Sequence, residues 1–436
     1  MPTVKSFRSG VGMSLRRYFM LLTVITLLAW GLRLGMTAWF VGLTAPPDPR
    51  DGLDQLDYDL FAYRMSIGEG YTLDDGTPSA RRAPGTSLLL LPVYLLCGRC
   101  YLAAHLWMTA LSAATCAVGA ELVRRTWGFS VALGTAVALA VHPGLTYYAM
   151  FLWSEAPFTF FAALGTWLTV RSLEASPHRN RWSLAAGLTW GFAILLRPQV
   201  VLMGPIAIVI WWWSADRRRS LFVPILVQLV VACAVTLPWV ARNAIVMHMP
   251  CLATLVGGHT FWGAHNPVTF TNPQVRGDWV GLSHMDSPSR QWPAGELEQE
   301  AAAWKYAWED IRAHLPLLPQ LMVAKVWRLL SPFENTPNRM LFWAYAGAWM
   351  LTLPGLVFGC RELLKREPLL AGTIAVQLTA TLACVILFYG GGRFRHVHEP
   401  LLVAVSAIGV QRMFRHATIP ARLCVPTTNP TLISTT

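Results

Sequence analysis

Charge is what this sequence has least of. Asp, Glu, Lys and Arg make up only 13% of its 436 residues, about half of the roughly 25% found in soluble domains. That scarcity excludes a soluble enzyme and a disordered, charge-rich chain. Cysteine is also thin, with eight scattered residues. Cys97 and Cys100 form a CxxC, but no second pair completes a zinc site and no βαβ pattern surrounds it. They read as incidental membrane cysteines or as a local disulfide on the oxidising side. A Walker loop, a spaced His/Cys metal signature and a Ser-His-Asp arrangement are all missing. His396 and His398 form an HxH next to Glu399 that could ligate a metal, yet a third spaced ligand is lacking. Neither an internal repeat nor a low-complexity tract is present.

What the chain does have is apolar length. Its hydrophobic fraction is 54%, with 20 tryptophans and a mean hydropathy of +0.42. Spanning a hydrocarbon core of about 30 Å takes about 20 mostly apolar helical residues. The sequence therefore predicts an all-α polytopic membrane protein, with ten spans near 18–43, 102–123, 129–150, 156–173, 182–196, 198–215, 220–241, 340–359, 368–389 and 398–413. Arg197-Pro198 divides the run 182–215, because proline removes a donor and disfavours helix just before it. Segment 86–97 is too short to span and reads as interfacial or re-entrant. Segment 313–330, with Lys325 and Arg328 on an apolar stretch, reads as lying on the membrane surface. The first apolar run is long enough to stay as a span, so no cleaved leader is expected.

With the N-terminus in the cytoplasm, the cytoplasmic loops hold more than the whole +12 charge excess. The opposite side comes out slightly acidic. Lys and Arg in short loops carry the bias, as the positive-inside rule requires. The basic balance is thus topological, and nucleic acid is not an expected partner. Residues 1–416 read as one transmembrane domain in the cytoplasmic membrane, and 417–436 as a disordered cytoplasmic tail. Two long loops, 44–100 and 242–339, fall outside the cytoplasm. In the first, 57–68 reads as helix. In the second, Trp262, Trp279 and Trp292 lie among Gly, Pro and Asn and read as loop, while Gly295 to Arg312 reads as helix.

Asp54, Asp57 and Asp59 in the first loop are the strongest chemical signal. They fit either a solvated acidic loop or a general base acting on a hydroxyl at the membrane surface. Glu155 stands at the outer edge of a span, where a carboxylate is expensive unless it faces water or a partner. It fits a functional group or a favourable helix N-terminal acid. Arg81, Arg82, Arg197, Arg242, Arg393 and Arg395 share that side. They are lipid-headgroup anchors or a pocket for a phosphate, for which the planar guanidinium fork is suited.

Several short motifs appear in a fixed order. Asp54-Gln-Leu-Asp-Tyr58-Asp-Leu-Phe-Ala62 leads to Gly68-Glu-Gly-Tyr71 and then Ala80-Arg-Arg-Ala-Pro84-Gly. Leu152-Trp-Ser-Glu155, Gly187 with Gly191, Leu196-Arg-Pro198 and Leu237-Pro-Trp-Val-Ala-Arg242-Asn243 follow. Gly263-Ala-His265-Asn266-Pro267 and Gly392-Arg393-Phe-Arg395-His396, with Pro400, close the series. This order resembles the GT-C superfamily, specifically its polyprenyl-phosphate-sugar-dependent branch, which includes protein O-mannosyltransferases and the lipid A aminoarabinose transferase. The sequence departs from the family at Gln55, where Glu often follows the first Asp, and in lacking a large soluble domain after the last span.

The resemblance implies a GT-C-like fold and a membrane glycosyltransferase. It would move a sugar from a polyprenyl-phosphate donor to an acceptor hydroxyl outside the cytoplasm, with inversion. The acceptor would be a glycan, a lipid or a protein. The implied roles are Asp54 as base, with Glu155 and Asp57 beside it, and Arg81, Arg82, Arg242, Arg393 and Arg395 on the donor phosphate. Tyr58, His265 and Asn266 would contact acceptor or sugar. No metal ligand set is implied, although Gln55 leaves divalent-metal assistance an open alternative. The rival reading from another class is a transporter or flippase of a lipid-linked glycan, which would place ionisable residues near the membrane midplane. Only Arg33 sits near the middle of a predicted span, the other charged residues lying at span ends.

Overall fold

Apolar stretches become helices throughout the chain. The computed structural model describes residues 13–174, 177–213, 218–252, 254–281, 290, 292–333 and 339–417. The expected tail beyond 417 and residues 214–217 lie outside the described residues. In chain order the helices begin with α1 (Leu15–Phe40), α2 (Leu53–Ser66), α3 (Gly85–Cys97), α4 (Tyr101–Trp127), α5 (Phe129–Ala140) and α6 (Pro143–Ala149). Next come α7 (Glu155–Leu173), α8 (Arg179–Leu196), α9 (Met203–Trp213), α10 (Arg218–Val246), α11 (Gly257–Ala264) and α12 (Pro267–Thr271). The series ends with α13 (Glu296–Ala313), α14 (Leu318–Leu330), α15 (Arg339–Arg366), α16 (Pro368–Leu387), α17 (Gly392–His396) and α18 (Glu399–Ala417). Among the described residues there is no strand, only an isolated antiparallel bridge between Thr72 and Pro78. Cys97 and Cys100 are both free.

The all-α membrane architecture is as expected, while length and apolarity alone pick out fewer than the ten expected spans. Five helices are long and apolar enough to cross a membrane: α1, α4, α10, α15 and α16. A sixth span results if α5 and α6, bent by 51° at their junction, are taken together. Helices α7, α8, α9 and α18 occupy the other predicted spans but fail on length or apolarity. The reason is visible in α7, whose buried residues include Thr159, Gly165, Thr166, Thr169 and Ser172. Helices enclosed by other helices carry small and polar residues at their contacts, which lowers their average hydropathy. Gln377 reaches Thr166 from α16 at 2.6 Å, and Thr169 reaches Gln228 in α10 at 2.8 Å.

Close approach is built from glycine. A Cβ at Gly187 or Gly191 of α8 would press on Val231 and Val235 of α10 at 2.7 and 2.6 Å. Small residues at such contacts let two membrane helices pack backbone to backbone.

Arg33 explains the bend between α5 and α6. It is fully buried in α1. Its guanidinium donates to the carbonyls of Ala29, Ala140 and Leu139 at 3.0, 3.1 and 3.2 Å, and to Ser112 Oγ at 2.8 Å. The last carbonyls of a helix have no intrahelical donor. Arg33 supplies donors to the broken end of α5, so its role here is to seal a backbone break.

The second long loop builds its own small core from Phe261, Trp262, Phe270, Ala303, Ala307, Ile311 and Leu321. Two expectations are corrected here. Trp262 is not in a loop but inside α11, its indole donating to the buried Asp310 at 2.9 Å, and Arg290 closes the same carboxylate at 2.6 Å. Aromatic burial and a tethered indole hold a helix that glycine-rich composition argued against. Helix α14 does present Val323, Trp327 and Leu330 outward, as a surface helix would. Lys325, however, is fully buried, with Nζ 2.7 Å from His265 Nε2 and 3.3 Å from the Ile386 carbonyl. Burial brings its pKa down to about 7.

Candidate active site

Asp54 owes its position to Gly52. With φ at +118°, Gly52 turns the chain through a region that side chains rarely adopt. Helix α2 therefore starts at Leu53, four residues before the predicted start, and Asp54 falls in its first turn. A carboxylate is favoured there by the helix dipole.

Around it runs an alternating row of arginines and carboxylates drawn from five separate segments. Asp57 pairs with Arg81 and, at 2.7 Å, with Arg82 Nε. Arg82 also reaches Asp54 at 2.9 Å. Asp54 faces Arg393 of α17 at 3.4 Å. Arg393 Nε in turn donates to Glu155 at 2.6 Å, and Glu155 is closed from its other side by Arg197. Arg197 also donates to Ser154 Oγ at 3.2 Å. Four guanidinium groups face three carboxylates, so the row carries one spare positive charge.

The electrostatics follow from that sharing. Burial raises the Asp54 pKa, but Arg82 and Arg393 outweigh it and hold the carboxyl below its ordinary value. Burial disfavours charge on Arg82 and Arg393 as well, yet the carboxylates around each keep both above the usual arginine value. Tyr58 is buried beside Asp54, and that burial, with the carboxylate charge, pushes its pKa up to about 12. Glu155 is 1% exposed, and its Oε2 has no hydrogen-bond partner. Among the described residues no group of three His, Cys, Asp or Glu side chains is arranged as metal donors. Each acid in the row already faces arginine, so the donor set does not fit a divalent cation.

The structure gathers Asp54, Asp57, Glu155, Arg81, Arg82, Arg393 and Tyr58. It gives the other named residues different surroundings. Arg242 donates to the Ser79 and Tyr71 carbonyls at 2.7 and 2.9 Å and lies over the Trp239 ring. Arg395, 5% exposed, donates to the Leu329 and Ser331 carbonyls and pairs with Glu399. Asn266 caps α12, accepting from the Val268 and Thr269 amides and donating to the Trp262 and Gly263 carbonyls. His265 donates from Nδ1 to the Phe261 carbonyl and accepts from Lys325, and burial beside that lysine brings its pKa down to about 3.

Comparison with known proteins bears on this arrangement. Residues 81–241 match the family model of dolichyl-phosphate-mannose-protein mannosyltransferases. The oligosaccharyltransferase AglB from Archaeoglobus fulgidus, solved with an inhibitory peptide and a dolichol-phosphate, superposes with a TM-score of 0.56 at 12% identity, over 92% of this chain and 50% of AglB. Its apo form gives 0.58 at 13%, over 92% and 51%. The chain shares the fold of the membrane region it matches in those structures. It spans about half the length of those oligosaccharyltransferases. ArnT from Cupriavidus metallidurans bound to undecaprenyl phosphate superposes with a TM-score of 0.44 at 16% identity, over 93% of this chain and 79% of ArnT. No curated protein sequence matches.

Two residues in or beside this row escaped sequence reasoning as site residues. Arg197 read as one outer arginine among several and as the end of a helix, yet it closes Glu155. The same Arg-Pro break that ends α8 turns its side chain toward α7. His259 of α11 carried no signal at all, being a lone histidine in a glycine-rich stretch.

Proposed function

We propose that the protein is an integral-membrane glycosyltransferase that takes a sugar from a polyprenyl-phosphate donor and delivers it to an acceptor hydroxyl on the extracytoplasmic side. The carrying observation is that Arg82 and Arg393, from segments more than 300 residues apart in sequence, both face Asp54. The match of residues 81–241 to a dolichyl-phosphate-mannose-dependent family supports the donor class.

In this reading the donor phosphate sits against Arg82 and Arg393, with Arg81 adding charge. Its negative charge offsets theirs, so the field holding Asp54 ionised weakens and its proton affinity rises when donor arrives. Asp54 then takes the proton of the acceptor hydroxyl as the oxygen attacks the anomeric carbon from the face opposite the phosphate. The bond from that carbon to the phosphate oxygen breaks, and the configuration inverts. Polyprenyl phosphate leaves with the electron pair as a stable anion, so no general acid is required, and the arginines stabilise its developing charge. Glu155 orients Arg393. Arg242 and Arg395 act from a distance by fixing the loops that carry Arg81, Arg82 and Arg393.

The test is direct. Protein in nanodiscs, supplied with radiolabelled mannosyl-phosphoryl polyprenol and crude envelope acceptors, is expected to release polyprenyl phosphate and label an acceptor. A donor that stays intact over hours, or that is moved across a bilayer without cleavage, would overturn the reading in favour of a transporter.

A further inference from the structure

The second outer loop brings an unused group to the edge of this site. Leu255 N donates to the Ala80 carbonyl at 2.8 Å, and Thr254 Oγ1 donates to the Arg81 carbonyl at 2.8 Å. These bonds strap the start of α11 to the segment that carries Arg81 and Arg82. One turn further on is His259. Its Nε2 is buried and has no hydrogen-bond partner. A buried polar atom without a partner costs free energy unless a ligand or water satisfies it.

Two indoles surround the same ring. Trp279 stands perpendicular to His259, with centroids 5.5 Å apart and an interplanar angle of 88°. Trp292 lies 5.9 Å away. The first indole is held in place by Val280 N, which donates to the Gly263 carbonyl at 2.9 Å, and a Cβ at Gly263 would collide with it. The helix is itself fixed to α13, where Glu300 accepts from Gly258 N at 2.7 Å and from Trp304 Nε1 at 2.9 Å. Trp279 remains 37% exposed. A rigid corner of an indole face and an unsatisfied imidazole nitrogen suits one ligand class well. The C–H face of a pyranose packs on an electron-rich ring, while one of its hydroxyls needs a directed partner. Burial, and then the charge on Arg82, hold His259 below its ordinary pKa, so the ring is neutral at pH 7 and can accept a hydrogen bond.

We propose that His259, Trp279 and Trp292 form a pyranose-binding subsite beside Arg82. This inference rests on the glycosyltransferase reading for its biological use, but not for its test. The probe is methyl α-D-mannopyranoside, observed by saturation-transfer NMR on the full chain in nanodiscs. Wild type is expected to give ring-proton transfer, His259→Ala and Trp279→Ala to weaken binding at least tenfold, and His259→Gln to restore much of it. Size exclusion and thermal unfolding confirm that the variants fold. Adding polyprenyl phosphate or polyprenyl-phosphate-mannose separates the two sources of the sugar. Displacement by the mannosylated lipid alone assigns the subsite to the donor sugar, and persistence with both assigns it to the acceptor. Absence of transfer in wild type, or equal transfer in wild type, His259→Ala and Trp279→Ala, overturns the subsite. Pyranoside binding by a protein that never cleaves donor would refute the transferase reading and leave the subsite standing.

Discussion

Asp54 and Asp59 lie on one helix, five residues apart, and both face arginine. Their surroundings differ in every other respect. Asp59 is 2% exposed, accepts from the Tyr94 hydroxyl at 2.6 Å and pairs with Arg99 at 2.6 Å. All its partners come from the neighbouring corner between α3 and α4. The Asp54 side chain is 31% exposed, and its arginines are shared with Asp57 on one side and Glu155 on the other. Five residues rotate a helix by about 140°, enough to turn one carboxylate into a sealed packing contact and the other into an open charge row. An acid paired to completion holds structure. One whose partners are divided among several acids can respond when a new charge arrives.

The sharpest way to break this contrast is to neutralise both positions. Asp54→Asn is expected to lower single-turnover transfer by about 10²–10⁴, the usual loss for a removed general base. Asp59→Asn should leave turnover nearly intact. An active Asp54→Asn with a dead Asp57→Asn would shift the base by one turn. Glu155→Gln comes next, at a loss of about 10–10², because Arg393 loses its fixed partner and drifts from Asp54. Equal activity in wild type and Glu155→Gln would reduce Glu155 to packing.

The pH dependence sharpens the same contrast. Asp54 is held below its ordinary value, so it is charged down to a pH below about 3.9. Its favourable pairing is complete above the unfolded value and is lost as pH falls through the folded one. The acid limb of kcat/KM, which reports free enzyme, should therefore lie below the ordinary aspartate range. The limb of kcat should lie higher, because bound phosphate offsets the arginines. Coincident limbs would mean that donor does not sit against Arg82 and Arg393. The smallest kinetic signal belongs to Asp59→Asn. It should cost about 1–3 kcal/mol of stability, read by denaturant or thermal unfolding, since the buried Tyr94 hydroxyl and the Arg99 guanidinium lose their charged acceptor.

Much of this was legible in the sequence. Asp54, Arg82, Glu155 and Arg393 were named because motif order and sidedness set acids and arginines on one face of the membrane. What stayed hidden depended on contacts distant in sequence. The threonines that α7 turns toward other helices lower its apolarity, and no local pattern announces that enclosure. Lys325 read as a surface charge because nothing local announces a histidine 60 residues earlier as its partner. His259 and Trp279 meet only because Val280 folds back onto α11. Local pattern reports periodicity and sidedness, while pairing across loops is decided by packing.

Arg33 also constrains how the protein is born. An arginine at the middle of a membrane helix costs about 2.5–3.5 kcal/mol on insertion, and its final partners at Leu139 and Ala140 lie 106 and 107 residues downstream. At about 5–20 residues per second of synthesis, α1 waits roughly 5–20 s before the last of these carbonyls is made, with only Ala29 and then Ser112 to accept from it. During that interval the first helix must be kept at the translocon wall or tilted toward water, and it docks only once α5 has emerged. The order of membrane assembly is thus written into one residue of the first span.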